Sequence, residues 1–128
     1  MARILVADDS DLVRRGLAYL LGQHQGWEVC GQAADGQEAV SKARQLAPDV
    51  VVLDFAMPVM NGIDAAKQIH EESPNTAIVL CSMYLDNQLS RIAHGAGINS
   101  VLSKSSISTV VNCVEAALRG EAPQPKET

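Results

Sequence analysis

The sequence predicts an α/β fold in which a parallel sheet is covered by helices on both faces. Two observations carry that expectation. Short aliphatic runs of four to seven residues alternate, five times over, with longer stretches whose apolar residues recur at helical spacing. That alternation is what strand-crossover-strand units with right-handed connections produce. Aromatic residues are also scarce, at 3% of a chain that is 47% hydrophobic, so the core must be built from Ala, Val, Leu and Ile. A length of 128 residues suits one domain with one core.

Each element has its own signal. Ile4 to Ala7 reads as the first strand, and Ser10 caps a helix whose stripe is Leu12, Val13, Gly16, Leu17, Leu20 and Leu21. Trp27 to Ala33 is a weaker second strand. Asp35 with Glu38 three residues on forms a capping box for a helix carrying Ala39, Val40, Ala43 and Leu46, and Pro48 stops it. Val50 to Leu53 is too apolar and too short for an amphipathic helix, and it reads as a strand buried on both faces. Asn61-Gly62 then opens a helix through Ala66 and Ile69 that ends before Pro74.

Ala77 to Cys81 is the fourth strand. Asp86 caps a short helix through Leu89, Ile92 and Ala93, with Gly95 and Gly97 marking its exit. Ile98 to Leu102 is the fifth strand. The last helix is expected from Ile107 through Val110, Val111, Val114, Ala117 and Leu118, closed by Gly120, with Asn112, Glu115 and Arg119 on a solvated outer side. Residues 1–119 thus form the domain, and 120–128, polar with two prolines, read as a linker or tail.

Composition excludes several classes. The start, Met1 to Val6, is interrupted by Asp8 and Asp9 and fails as a signal peptide, and no apolar run of about 18 residues exists to span a membrane, so a cytoplasmic location is expected. Cys30, Cys81 and Cys113 are odd in number and sit in apolar runs, which suits core packing rather than disulfides or zinc. His24, His70 and His94 lie near the ends of separate helices and are expected at the surface. A net charge of −5 with dispersed Lys and Arg argues against direct nucleic-acid binding.

Polar residues instead gather at the strand ends, where open parallel sheets bind their ligands. The first strand ends in Asp8-Asp9, the third in Asp54, the fourth in Ser82 and the fifth in Lys104. Any one of these is ordinary as a cap or a solvated turn; together they are the groups of one metal and phosphate site. Three close carboxylates repel, at roughly 4 kcal/mol per pair of unit charges about 4 Å apart at an effective dielectric of 20. A divalent cation relieves this, and magnesium takes one or two carboxylates together with phosphate oxygens. A carboxylate there can act as a nucleophile and form an acyl phosphate, with Asp54 placed for it.

These residues, with Met57-Pro58 and Gly62 after Leu53-Asp54, make residues 1 to about 119 resemble the receiver domain of bacterial two-component response regulators. The resemblance implies a flavodoxin-like (βα)5 fold with strand order 2-1-3-4-5, and phosphorylation by a sensor histidine kinase. It implies Asp54 as phosphoacceptor, Mg2+ held by Asp9, Asp54 and the backbone carbonyl of Ala56, and Asp8 orienting Lys104. It further implies that Lys104 pairs with the phosphoryl group and Ser82 moves toward it. Val101 stands where the family often has a switch aromatic, and Ser105 where proline commonly follows the lysine. Ser82-Met83-Tyr84 and Gly95-Ala96-Gly97 are most like the branch with helix-turn-helix output. DNA would then be bound only through an output domain outside this chain, with homodimerisation on phosphorylation.

Other readings fit less well. Val50 to Asp54 would pass for a Walker B strand, but no G-x-x-x-x-G-K-[ST] loop accompanies it. A haloacid-dehalogenase-like phosphatase wants a second acid two positions after the first, where Ala56 stands. The serious alternative is a receiver-like interaction module that signals without phosphate. Such modules usually have lost an acid or the lysine, and all are present here.

Overall fold

The computed structural model describes residues 1–120, so the expectation of a linker over 120–128 lies, beyond Gly120, outside the described residues. The strands are β1 (Ala2–Ala7), β2 (Trp27–Ala33), β3 (Val50–Asp54), β4 (Ala77–Ser82) and β5 (Ser100–Ser103). The helices are α1 (Asp11–Gly22), α2 (Gly36–Leu46), α3 (Gly62–Glu72), α4 (Asn87–Gly95) and α5 (Val110–Leu118), with a 3-10 segment over Lys104–Thr109. All strand pairings are parallel and the order is β2-β1-β3-β4-β5, as expected.

Side-chain parity divides the core between the two faces of the sheet. Leu5, Ala7, Val51, Leu53, Ile78 and Leu80 point to one face and pack against α2, α3 and α4 through Val40, Ala66, Ile69 and Ala93. Ile4, Val6, Val50, Val52, Val79 and Cys81 point to the other and meet α1 and α5 through Leu17, Leu21, Val110 and Val114. Every residue of β3 is buried, which is why its sequence is continuous rather than alternating. Full burial of each such aliphatic side chain contributes about 1.5–3 kcal/mol.

Four helices begin where a capping residue was read. The side chains of Ser10, Asp35, Asn61 and Asp86 accept from the backbone N–H of Val13, Glu38, Asp64 and Leu89 respectively. At α2 the expected capping box is shifted by one residue on its return side: Glu38 Oε1 accepts at 2.8 Å from the N–H of Ala34, just before the cap, rather than from Asp35. Arg44 and Glu72 then tie α2 to α3 at 2.6 Å.

The sequence expectation fails at three places for local reasons. The last helix starts at Val110 rather than Ile107, because residues 104–109 wind as a 3-10 segment with Ser106 outside helical geometry. Hydroxyls there bond the backbone in place of the helix ladder: Ser103 Oγ accepts from Ser105 N, and Thr109 Oγ1 donates to Ser106 O. The fifth strand starts at Ser100 rather than Ile98. The N–H of Ile98 is taken by Ala93 O at the exit of α4, while Asn99 donates its N–H to Ile78 O and accepts from Ile78 N on its side chain. Leu12, in the expected stripe of α1, is 82% exposed, and Leu20 and Ile92 are also surface residues.

His70 and His94 are exposed as expected, but His24 is half-buried. Its ring stacks on Trp27 with centroids 3.7 Å apart, and Nε2 lies 3.6 Å from the Glu115 carboxylate of α5. The cysteines are unpaired, with Cys81 buried. Among the described residues no helix is long and apolar enough to cross a membrane.

Candidate functional site

The strand registers bring the polar strand ends together. Ala7 sits opposite Leu53, so Asp8 and Asp54 follow on adjacent strands; Asp54 sits opposite Cys81, and Ser82 opposite Ser103, just before Lys104. The result is a charged cluster on one edge. Carboxylate oxygens of Asp8, Asp9 and Asp54 lie within 4.8 Å of one another. Asp8 is 0% and Asp54 3% exposed, while Asp9 faces solvent.

Lys104 reaches into this cluster from the end of β5. Its Nζ lies 3.1 Å from Asp8 Oδ2 and 3.1 Å from Asp54 Oδ1. Asp8 Oδ2 is fully buried, and the Lys104 ammonium is the partner that faces it. Burial and the neighbouring Asp8 carboxylate push Asp54 up to about 6, against the pull of Lys104 and with a smaller push from Asp9. Burial alone would draw the Lys104 ammonium down, but Asp8 and Asp54 outweigh it and raise its pKa. One cation thus faces an excess of negative charge on three clustered carboxylates. That donor set, all oxygen and partly open to solvent through Asp9, fits a hard divalent cation such as Mg2+.

The backbone around these groups is tightly held. Asp8 N donates to Ala33 O at 3.0 Å, and Asp8 Oδ1 accepts from Ser10 N at 2.9 Å, which locks the turn into α1. After β3, Phe55 N donates to Cys81 O and Gly62 N donates to Phe55 O, both at 2.8 Å, closing the loop over the end of Asp54. Met57 is buried in the core and anchors that loop.

Gly62 is required by close approach. A Cβ there would fall 2.3 Å from Asp54 O and 2.9 Å from Leu80 Cδ1. Gly36 plays the same part at the start of α2, where a Cβ would lie 2.0 Å from Met60 O. Gly62→Ala is expected to cost about 2–4 kcal/mol, because the closer contact is with the backbone of Asp54, which cannot yield as a side-chain tip can. Urea unfolding against a Gly95→Ala control, whose Cβ meets nothing within 4 Å, measures it.

Ser82 and Ala56 stand beside the cluster. Ser82 is buried, and its Oγ is engaged with the loop that follows, donating to Tyr84 O at 2.8 Å and accepting from Tyr84 N at 3.3 Å. Both of these hydrogen bonds go to the loop and neither to the carboxylates or Lys104. Ala56 is exposed and, with Phe55, Ser82, Met83, Tyr84 and Leu89, lines an open cavity of about 410 Å³.

Arg14 went unnoticed in the sequence, where the arginines read as dispersed. Its Nη1 donates to Asp8 O at 3.0 Å and its Nε to Gln32 Oε1 at 3.1 Å, so it buttresses the acidic turn from α1. The signal was available: Arg14 shares a helical face with Leu17 and Leu21, three and seven positions on, where a charge needs a local partner.

A doubly wound sheet with an acidic cluster and a lysine at its carboxyl edge defines a class of phosphate-handling signalling domain. The chain belongs to the response regulator receiver domain family, whose model matches residues 4–115. Among curated relatives it is 36% identical to the transcriptional regulatory protein LnrK of Bacillus subtilis over 99% of this chain and 58% of that protein. It is 38% identical to LiaR of the same organism, over 94% of this chain and 58% of the relative. It therefore spans 58% of the length of either relative. Among solved structures, a LuxR-family two-component response regulator from Aurantimonas superposes with a TM-score of 0.90 at 31% identity, covering 96% of this chain and 91% of that one. The receiver domain of the response regulator NarL from Mycobacterium tuberculosis gives 0.87 at 28% identity, covering 94% and 98%.

Proposed function

We propose that this chain is the phosphoacceptor domain of a two-component response regulator, with Asp54 accepting the phosphoryl group from a sensor histidine kinase. The observation that carries it is the joint geometry of Lys104, held 3.1 Å from both Asp8 and Asp54, at the carboxyl edge of the sheet. An Asp54 carboxylate oxygen attacks phosphorus, and the new P–O bond forms as the P–N bond to the kinase histidine breaks. The kinase histidine leaves as the neutral or reprotonated imidazole, and the product on Asp54 is an acyl phosphate. The chain acts as a switch; its chemistry is confined to its own phosphorylation and hydrolysis.

Asp9 and Asp54, with the backbone carbonyl of Ala56, would hold Mg2+, which supplies neutralisation of the negative charge gathered on the transferred oxygens. Lys104 presents its ammonium to the phosphoryl group, and Asp8 fixes the direction of that ammonium from a fully buried position. Ser82 supplies a hydroxyl that reaches the phosphoryl oxygens once it leaves Tyr84. Both relatives described above are named as transcriptional regulators, which supports an output in transcription through a further domain and a change in dimerisation as its trigger.

Intact mass with and without a small-molecule phosphodonor and magnesium tests the reading. Phosphoryl mass gain in the wild type and none in Asp54→Ala is the expected result. An unmodified wild type under saturating magnesium would instead favour the phosphate-free interaction module.

A further inference from the structure

Met83 lines two cavities at once. One is the cavity bounded by Ala56, Ser82 and Leu89. The other, about 420 Å³ and predominantly apolar, lies between α1 and the 3-10 segment and is bounded by Val13, Leu17, Leu20, Lys104 and Ile107. Met83 itself is 65% exposed, a large apolar side chain left at the rim between two apolar recesses.

The cause is the turn that Ser82 makes. Its hydroxyl bonds both the N–H and the carbonyl of Tyr84, so the backbone curls at Met83 and β4 stops at Ser82. Hydroxyl-to-backbone turns of this kind compete with continuation of a strand. Strand parity says where Met83 would go if the turn opened. Ala77, Val79 and Cys81 point toward α1 and α5, and residue 83 continues that series.

We propose that Met83 is the relay of this domain: when the Ser82 hydroxyl leaves Tyr84 for the phosphoryl group, β4 lengthens by one residue and Met83 seats in the cavity beside α1. The inference rests on the phosphoacceptor reading of Asp54. A methionine suits the part because it is unbranched and adapts to an irregular recess. It also gives the fold a moving apolar side chain where Val101, packed against the helices on the opposite face, offers no aromatic ring to swing. The site is thereby connected to the surface of α1, on the side of the sheet away from α4.

Peroxide oxidation of the four methionines, read by peptide mass with and without beryllofluoride and magnesium, tests the movement. Since sulfoxide formation follows exposure, Met83 is expected to oxidise roughly threefold or more slowly in the beryllofluoride complex, with Met1 unchanged as internal control. Met83→Ala and Met83→Leu test the relay. Wild-type methyl resonances of Leu17, Leu20 and Ile107 should shift on beryllofluoride binding, the shifts should be lost in Met83→Ala, and the leucine variant should restore most of them. Fluorine resonances of the bound group report occupancy of the site in every sample. Occupancy with undiminished Met83 oxidation, or with full methyl shifts in Met83→Ala, would overturn the relay alone. No occupancy in the wild type would overturn the phosphoacceptor reading, and the relay with it.

Discussion

Lys104→Ala is expected to destabilise the metal-free protein by about 3–5 kcal/mol near pH 8, the range for breaking a buried ion pair by removing one partner. The loss is large because of what it leaves behind. Asp8 has no exposure and Asp54 almost none, and Lys104 is the cation within ion-pair distance of both. Without it Asp54, already pushed up to about 6 by burial and by Asp8, rises further, and ionising it costs more of the folding free energy. Magnesium should compensate, since a divalent cation binding only the folded form adds RT ln(1 + [L]/Kd), about 2.7 kcal/mol at 100 Kd. Urea unfolding in EDTA and in excess magnesium measures both quantities. The alanine variant should gain more from magnesium than the wild type does; equal gains would mean that Lys104 and the cation do not answer the same charges.

The reason so much of this site could be read without coordinates is that a parallel sheet aligns its strand ends. Once Val50–Leu53 and Ala77–Cys81 are recognised as buried strands, register places Asp54 and Ser82 on one edge, and order along the chain adds Asp8 and Lys104. Capping residues are legible for a similar reason, because Ser10, Asp35, Asn61 and Asp86 act on backbone within three residues of themselves. What escaped depends on contacts between elements distant in sequence. Arg14 finds its partners in the Asp8 carbonyl and in Gln32, eighteen positions away on β2. Leu12 and Leu20 carry the period of a core stripe, yet Leu12 is exposed and Leu20 borders an open recess instead of the sheet. The 3-10 segment is a contest between Ile107, which extends the helical period, and the hydroxyls of Ser103 and Thr109, which bond locally. Periodicity weighs side chains by hydrophobicity and is blind to that competition.

Asp54→Asn is expected to stabilise the metal-free protein above pH 6, an inversion of the usual effect of losing a carboxylate. The sign follows from linkage. The folded pKa of Asp54 is about 6 and its ordinary value is 3.8, so between these the folded state holds more protons than the unfolded one. Stability therefore falls as pH rises through this window and stays lowered above it, by at most about 3 kcal/mol at 1.36 kcal/mol per pKa unit. Water at the open side of the cluster screens the effect and makes a gain of about 1–2 kcal/mol the expectation at pH 7.5. An amide at this position carries no charge to bury and removes the repulsion with Asp8, while forfeiting the pairing with Lys104. Below pH 4 the wild-type carboxyl is itself neutral, and the two proteins should converge. Thermal unfolding in EDTA from pH 4 to 8 tests the whole curve, and adding magnesium should reverse its order, because the cation binds the carboxylate and has less to bind in the amide. A variant less stable than wild type throughout the metal-free series would mean that Lys104 neutralises Asp54 completely. The pressure toward a cation at this edge, which the geometry of three carboxylates around one ammonium implies, would then be absent.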